Sequence, residues 1–100
     1  MFTMKIVKEA LAGTLESSDL LVRIAPKEDG LELVLQSEVI HQFGPHIEKV
    51  ARDCLARLGI TQALVVIEDK GALDCVVTAR VQTAVSRAVD EWTADWSALS

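Results

Sequence analysis

Between Leu20 and Leu35 the apolar residues alternate with a period of two, and from Ile40 to Leu58 they recur at helical spacing. A change of period so early in a short chain requires a sheet and a helix to share one core. Leu20, Val22 and Ile24 fall on one side of an extended segment, and Leu21, Arg23 and Ala25 on the other. That pattern predicts a half-buried strand, ended by Pro26, which cannot donate to a ladder. Lys27-Glu28-Asp29-Gly30 then supplies a turn, and alternation resumes at Leu31, Leu33 and Leu35, with Glu32, Val34 and Gln36 facing water. Strand, short glycine-containing loop and strand together predict a β-hairpin.

Ser37 is a candidate N-cap for a helical segment starting at Glu38. Ile40, Phe43, Ile47, Val50, Cys54 and Leu58 then keep helical spacing, and Ala51 and Leu55 widen the stripe. Gly44-Pro45 interrupts it, so the main helix is expected to begin there after a short lead-in, and Leu58-Gly59 closes it. Ala63-Leu64-Val65-Val66-Ile67 is a continuous, β-branched-rich run that suits a central strand buried on both faces. Glu68-Asp69-Lys70-Gly71 reads as a solvated turn. From Asp74, near an N-cap, the spacing of Leu73, Val77, Val81, Ala84, Val85, Ala88 and Trp92 persists long enough to predict a second helix. Residues 4–12 read as a short amphipathic turn or helix stopped by Gly13, or as a frayed terminus. Residues 93–100, with Trp96, show little periodicity and are expected to pack loosely.

These elements assemble as ββαβα, an α+β two-layer sandwich. Two helices are expected on one face of a three-stranded, mainly antiparallel sheet of order 2-1-3. The chain is expected to form a single domain over 1–100, with 1–12 and 93–100 loosely ordered. The intervening helix makes the second and third strands parallel.

Composition removes several function classes. The formal charge of −5 comes with no Lys/Arg cluster to neutralise phosphates, which argues against nucleic acid as a partner and suits basic protein surfaces instead. No run approaches the ~20 apolar residues of a membrane span, and Met1–Leu11 lacks the apolar core of a leader, so a cytoplasmic location is expected. Cys54 and Cys75 form no Cys-x-x-Cys pair and read as small buried hydrophobes. His41 and His46 are poorly spaced for one helix face and read as surface or capping residues rather than metal ligands. Glu68, Asp69 and Asp74 make a carboxylate group of the kind used in acid–base or metal chemistry, but Lys70 lies among them with no nearby histidine. No metal site and no catalytic residue is expected.

One polar stretch remains: Gly13-Thr14-Leu15-Glu16-Ser17-Ser18-Asp19, just before the first strand. Unassisted hydroxyls are weak nucleophiles, and no His or Lys lies nearby in sequence. An exposed loop serine is nonetheless accessible to a modifying enzyme. By itself such a stretch is ordinarily only a turn.

Taken with what surrounds it, the stretch is more specific. Ala12-Gly13-Thr14-Leu15-Glu16-Ser17-Ser18-Asp19, followed by Val22-Arg23-Ile24-Ala25-Pro26, resembles the acyl carrier (gamma) subunit of citrate lyase. A second block agrees, with Gln42-Phe43-Gly44, Glu68-Asp69-Lys70-Gly71-Ala72-Leu73-Asp74-Cys75 and Ala79-Arg80. The likeness runs in order from about Lys8 to Ala88.

The resemblance implies a carrier rather than an enzyme. It implies a 2'-(5''-phosphoribosyl)-3'-dephospho-CoA arm joined covalently to Ser17 by a phosphodiester, with Ser18 as the fallback where the family often has glycine. The arm's thiol would hold acetyl and citryl thioesters while citrate is cleaved to acetate and oxaloacetate. The implied partners are a transferase (alpha) subunit, a lyase (beta) subunit, the transferase that attaches the arm and an acetate-activating ligase. The related carrier (delta) subunit of malonate decarboxylase is the nearest alternative, and a small α+β interaction domain without a covalent group is another. The Asp-Ser-Leu motif of helical acyl carriers is absent.

Overall fold

A computed structural model describes residues 5–37 and 40–89, with 40–44 described through their backbone alone. The expected roles of Glu38, His41, Phe43, Trp92, Trp96 and the tail at 93–100 lie outside the described side chains. The elements are β1 (Ala10–Gly13), β2 (Leu20–Ala25), β3 (Leu31–Ser37), α1 (Ile40–Arg57), β4 (Ala63–Asp69) and α2 (Asp74–Ala88). They form one four-stranded sheet, ordered β1-β2-β4-β3, with two helices.

The expected α+β layering holds, but the sheet has a fourth strand and a different order. β2 pairs antiparallel with β1 and with β4, while β3 pairs parallel with β4. The predicted β2–β3 hairpin is therefore absent, because β4 inserts between its two strands. Registers such as Ile24↔Val65 and Leu33↔Val65 show β4 sandwiched between them. The link at 26–30 spans two strand spacings, roughly 10 Å, within reach of five extended residues. The start of β4 is tied beneath it: Ala63 N–H donates to the Gly30 carbonyl at 3.1 Å, and the Gln62 side-chain amide donates to Glu28 O at 2.8 Å. Central placement goes to the most continuously apolar strand, whose two neighbours satisfy both its edges.

β4 is nevertheless not buried on both faces. Ala63, Val65, Ile67 and Asp69 are buried, whereas Leu64, Val66, Glu68 and Lys70 are only half-buried. Both helices lie over the same face: α1 packs on β3, α2 on β1 and β2, and the helices on each other. Leu20, Val22 and Ile24 meet Ile47, Ala51, Leu55, Val77, Val81 and Val85 there in one core. Solvent meets the other face, where Leu11 and Val34 are exposed.

Three local expectations change. Residues 10–13 form an edge strand rather than a helix or frayed segment, and Ile6 just before it is buried. Ala-Leu-Ala-Gly has no β-branched residue, so pairing with β2 overrides weak propensity. Arg87 Nη1 donates to Leu11 O at 2.8 Å and secures that edge from α2. Next, α1 runs unbroken through Pro45 rather than starting there. Proline in the second turn forfeits one backbone hydrogen bond, and core contacts from Ile47 onward offset the loss. Third, Ser37 ends β3 instead of capping α1, and its hydroxyl donates to Asp69 at 2.8 Å.

β1 ends on a residue that only glycine fits. Gly13 has φ of +98°, and a methyl group there would overlap the Leu20 carbonyl and crowd Arg80 Cδ at 3.3 Å. Gly13→Ala is expected to destabilise the fold by about 2–4 kcal/mol. Urea unfolding monitored by circular dichroism measures this, and a variant as stable as wild type contradicts the assigned backbone.

Candidate functional site

The six residues 14–19 turn β1 back into β2, so the polar stretch is a hairpin loop rather than a lead-in to the first strand. Asp19 organises it. Its carboxylate accepts the Thr14 hydroxyl at 2.7 Å and the Leu20 N–H at 2.7 Å. Arg80 of α2 adds a two-pronged contact, Nε and Nη2 each donating at 3.1 Å. The guanidinium foremost, then the Thr14 hydroxyl and the Leu20 N–H, lower the Asp19 pKa from 3.8 to about 2 against the opposing effect of burial. Thr14 Oγ1 also accepts the Glu16 N–H at 3.2 Å, and the Asp19 N–H closes on Glu16 O at 3.2 Å. An Asp and a Thr facing each other across a short loop thus replace the backbone ladder that ends at Gly13.

The loop is also docked onto the β4–α2 turn. Ser18 N–H donates to Lys70 O at 2.8 Å, and Lys70 N–H returns a bond to Asp19 O at 2.9 Å. That turn was expected to be solvated; instead Asp69 is buried, with 1% exposure. Its carboxylate accepts Ser37 Oγ at 2.8 Å, Gly71 N–H at 3.1 Å and Ala72 N–H at 2.9 Å. Three donors repay the cost of burying an anion. The Asp-Lys-Gly-Ala sequence carries an Asx-turn signal, which is the clue by which this role is readable.

Ser17 and Ser18 sit together at the tip, both exposed. They are not equivalent. Ser18 has φ of +65° and its N–H is clamped to Lys70, a left-handed position that glycine favours. Ser17 carries no such backbone constraint, and neither serine hydroxyl has a hydrogen-bond partner among the described residues. Asp19 is the nearest acid engaged in the loop, and with its lone pairs occupied and its pKa held low it is a poor general base. His46 is committed elsewhere, its Nε2 lying 2.8 Å from the Asp74 carboxylate, a bond that joins α1 to the first turn of α2. The loop therefore offers a hydroxyl to be acted upon, with no histidine or lysine of its own to activate it.

The remaining candidates fall away from this site. Cys54 is buried, which pushes its thiol pKa up and keeps it protonated. Cys75 is exposed in the first turn of α2, contrary to the buried position expected. Its place one residue into the helix lies outside the apolar stripe formed by Val77, Val81 and Val85. No cluster of three or more potential ligands for a metal occurs among the described residues.

Comparison with known proteins finds relatives along the whole fold. Residues 7–88 match the family model of the malonate decarboxylase delta subunit (MdcD). A citrate lyase acyl carrier protein of Rhodopseudomonas palustris (strain BisA53) is 91% identical over 97% of this chain and 100% of its own length. One from Enterobacter sp. (strain 638) is 58% identical with the same coverage. Among solved structures, a chain of a Pseudomonas malonate decarboxylase hetero-tetramer in complex with malonate superimposes with a TM-score of 0.74. It covers 86% of this chain and 89% of its own at 23% identity, a likeness of fold.

The Asp19–Arg80 pair sets a pH dependence. Because the folded pKa lies below the unfolded value of 3.8, the stability it contributes is whole above that value and is lost as pH falls toward about 2. Arg80 is 40% exposed, so solvent screening reduces the contribution to roughly 1–2 kcal/mol at neutral pH. Asp19→Asn is expected to lose that amount near neutrality, with the gap to wild type narrowing under acid. Parallel urea titrations between about pH 2 and pH 7 measure it; a gap that widens in acid contradicts the sign.

Proposed function

This chain belongs to the citrate lyase acyl carrier protein family, whose members are carrier subunits without catalytic residues of their own, and we propose that its acyl groups ride on an arm attached at Ser17. The observation that carries the proposal is the exposed Ser17 hydroxyl, without a hydrogen-bond partner among the described residues, at the tip of a loop pinned by Thr14, Asp19, Arg80 and the Lys70 backbone. A hydroxyl without a base suits attachment by a separate enzyme, and its exposure leaves room for a bulky phosphodiester. Asp19, Arg80, Thr14 and the Lys70 backbone hold the loop, so the attachment point stays fixed while the arm moves.

The arm on this reading is 2'-(5''-phosphoribosyl)-3'-dephospho-CoA, whose terminal thiol supplies the thioester chemistry. The protein supplies attachment and a fixed origin. A tether raises the effective concentration of the thioester at each catalytic site within its reach. The fitting partners are therefore a transferase (alpha) subunit that exchanges acetyl for citryl and a lyase (beta) subunit that releases oxaloacetate. The enzyme that attaches the arm and the ligase that acetylates it complete the set. The solved neighbour's membership of a hetero-tetramer supports a role within a multi-subunit assembly. Identities of 91% and 58% to citrate lyase carriers favour this reading over a malonate decarboxylase carrier on the same scaffold. No described helix is long and apolar enough to cross a membrane, and we assign the carrier, as one domain over 1–100, to the cytoplasm.

Ser17→Ala is expected to fold normally, because an exposed loop hydroxyl makes no core contact, and to carry no arm. Ser18→Gly is expected to keep the arm and to gain up to about 1 kcal/mol of stability by relieving the left-handed backbone. Intact mass and peptide mapping of residues 9–23, on protein from cells fermenting citrate, test both. An arm retained on Ser17→Ala moves the attachment to Ser18, and an unmodified wild type favours the plain interaction domain.

A further inference from the structure

Exposed large apolar side chains among the described residues are Val7, Leu11, Leu15, Val34 and Leu73. Leu15, 50% exposed, and Leu73, 69% exposed, lie on the two segments that meet at the candidate site. Leu15 precedes Ser17 by two residues, and Leu73 follows Lys70 by three. The bonds from Ser18 N–H to Lys70 O and from Lys70 N–H to Asp19 O lock these segments together. Folding gives Leu73 a backbone task only: its carbonyl accepts the N–H groups of Val76 and Val77 at 2.9 and 3.0 Å to start α2. Nothing in that task requires a leucine side chain, and water covers most of it. The Glu68–Cys75 block, which the attachment reading leaves unused, therefore does two things: Asp69 and Lys70 brace the loop, and Leu73, three residues past Lys70, is exposed.

We propose that Leu15 and Leu73 form an apolar docking patch for the enzyme that attaches the arm, an inference that rests on attachment at Ser17. The chemistry singles out this partner from the others. Attachment forms a bond between Ser17 Oγ and a phosphorus of the donor while an anhydride P–O bond of that donor breaks. The phosphate-class leaving group departs, and the serine proton passes to a base of the enzyme. The phosphorus must come within about 3–3.5 Å of Oγ. An active site at that distance closes over the loop and covers side chains a few residues away on both segments. Subunits that act on the thioester meet the far end of the arm and can stand off by its length. The enzyme that fits thus has an apolar rim around its serine-accepting cleft, and the braced loop reaches it preorganised.

Initial rates of arm attachment to the unmodified full chain, read by mass with the purified transferase and an anhydride-activated arm donor, test this. Leu15→Ser and Leu73→Ser are expected each to raise KM at least tenfold with kcat nearly unchanged. Leu11→Ser, which removes a leucine of similar exposure on β1, is expected to leave both constants at the wild-type value. Unfolding midpoints establish that each variant is folded. A second measurement avoids chemistry altogether: calorimetric binding of Ser17→Ala to the transferase, with and without Leu73→Ser, is expected to weaken at least tenfold. Wild-type KM and affinity in the leucine variants overturn the docking patch alone. A wild-type chain that takes no arm at Ser17 overturns the attachment reading and the patch with it.

Discussion

The carboxylate of Asp19 is where the two ends of this fold are joined. It receives Thr14 from the start of the loop, Leu20 from the start of β2 and Arg80 from the second helix, 61 residues along the chain. Remove it and the loop loses both its internal crosspiece and its anchor to the helical layer. The charge is therefore structural. The same contacts that lower its pKa also take it out of any catalytic use, because a carboxylate that holds four donors from three residues has little basicity to lend. The loop is stiff and chemically quiet for one and the same reason.

A second carboxylate, Asp69, performs the matching task on the other side. Buried beneath Ser37 and the N–H groups of Gly71 and Ala72, it shapes the turn whose Lys70 backbone clasps Ser18 and Asp19. The two anions are related through the sheet: Asp69 is paired with Leu20 in the β2–β4 register and with Ser37 in the β3–β4 register. The strand order β1-β2-β4-β3 is what brings these ends together. In the hairpin arrangement expected from periodicity, β4 would lie on the far side of β2 from β3, and Ser37 could not reach Asp69. The swap of neighbours thus supplies one of the buried anion's three hydrogen bonds.

Much of this was legible in the chain. Alternation identified β2 and β3, the run at 63–67 identified β4 as a strand, and length resolved α2 as a helix. Alternation records which side of a strand is buried and carries no information on its neighbour, so the order of strands was lost. β1 escaped because Ala-Leu-Ala-Gly has neither alternation nor branching, and only its partner makes it a strand. The Asp19–Arg80 pair escaped for a related reason: a contact between residues so far apart leaves no periodic trace. Ser17 was singled out through the resemblance of its neighbours, and the structure adds a backbone distinction from Ser18 that composition could not supply.

That distinction bears on how a carrier divides rigidity from motion. An acyl group that visits several active sites needs a long, mobile tether, and a tether loses most of its value if its origin also wanders, because effective concentration falls as the volume searched grows. The chain meets the second requirement with a loop pinned by Asp19, Thr14, Arg80 and the Lys70 backbone, whose tip leaves the serine hydroxyls exposed. Ser18 takes the strained backbone and the clamp, which leaves Ser17 beside it unstrained and open. On the proposed attachment at Ser17, the scaffold is held up to the atom where the arm would begin, and flexibility is delegated to chemistry that the protein does not have to fold.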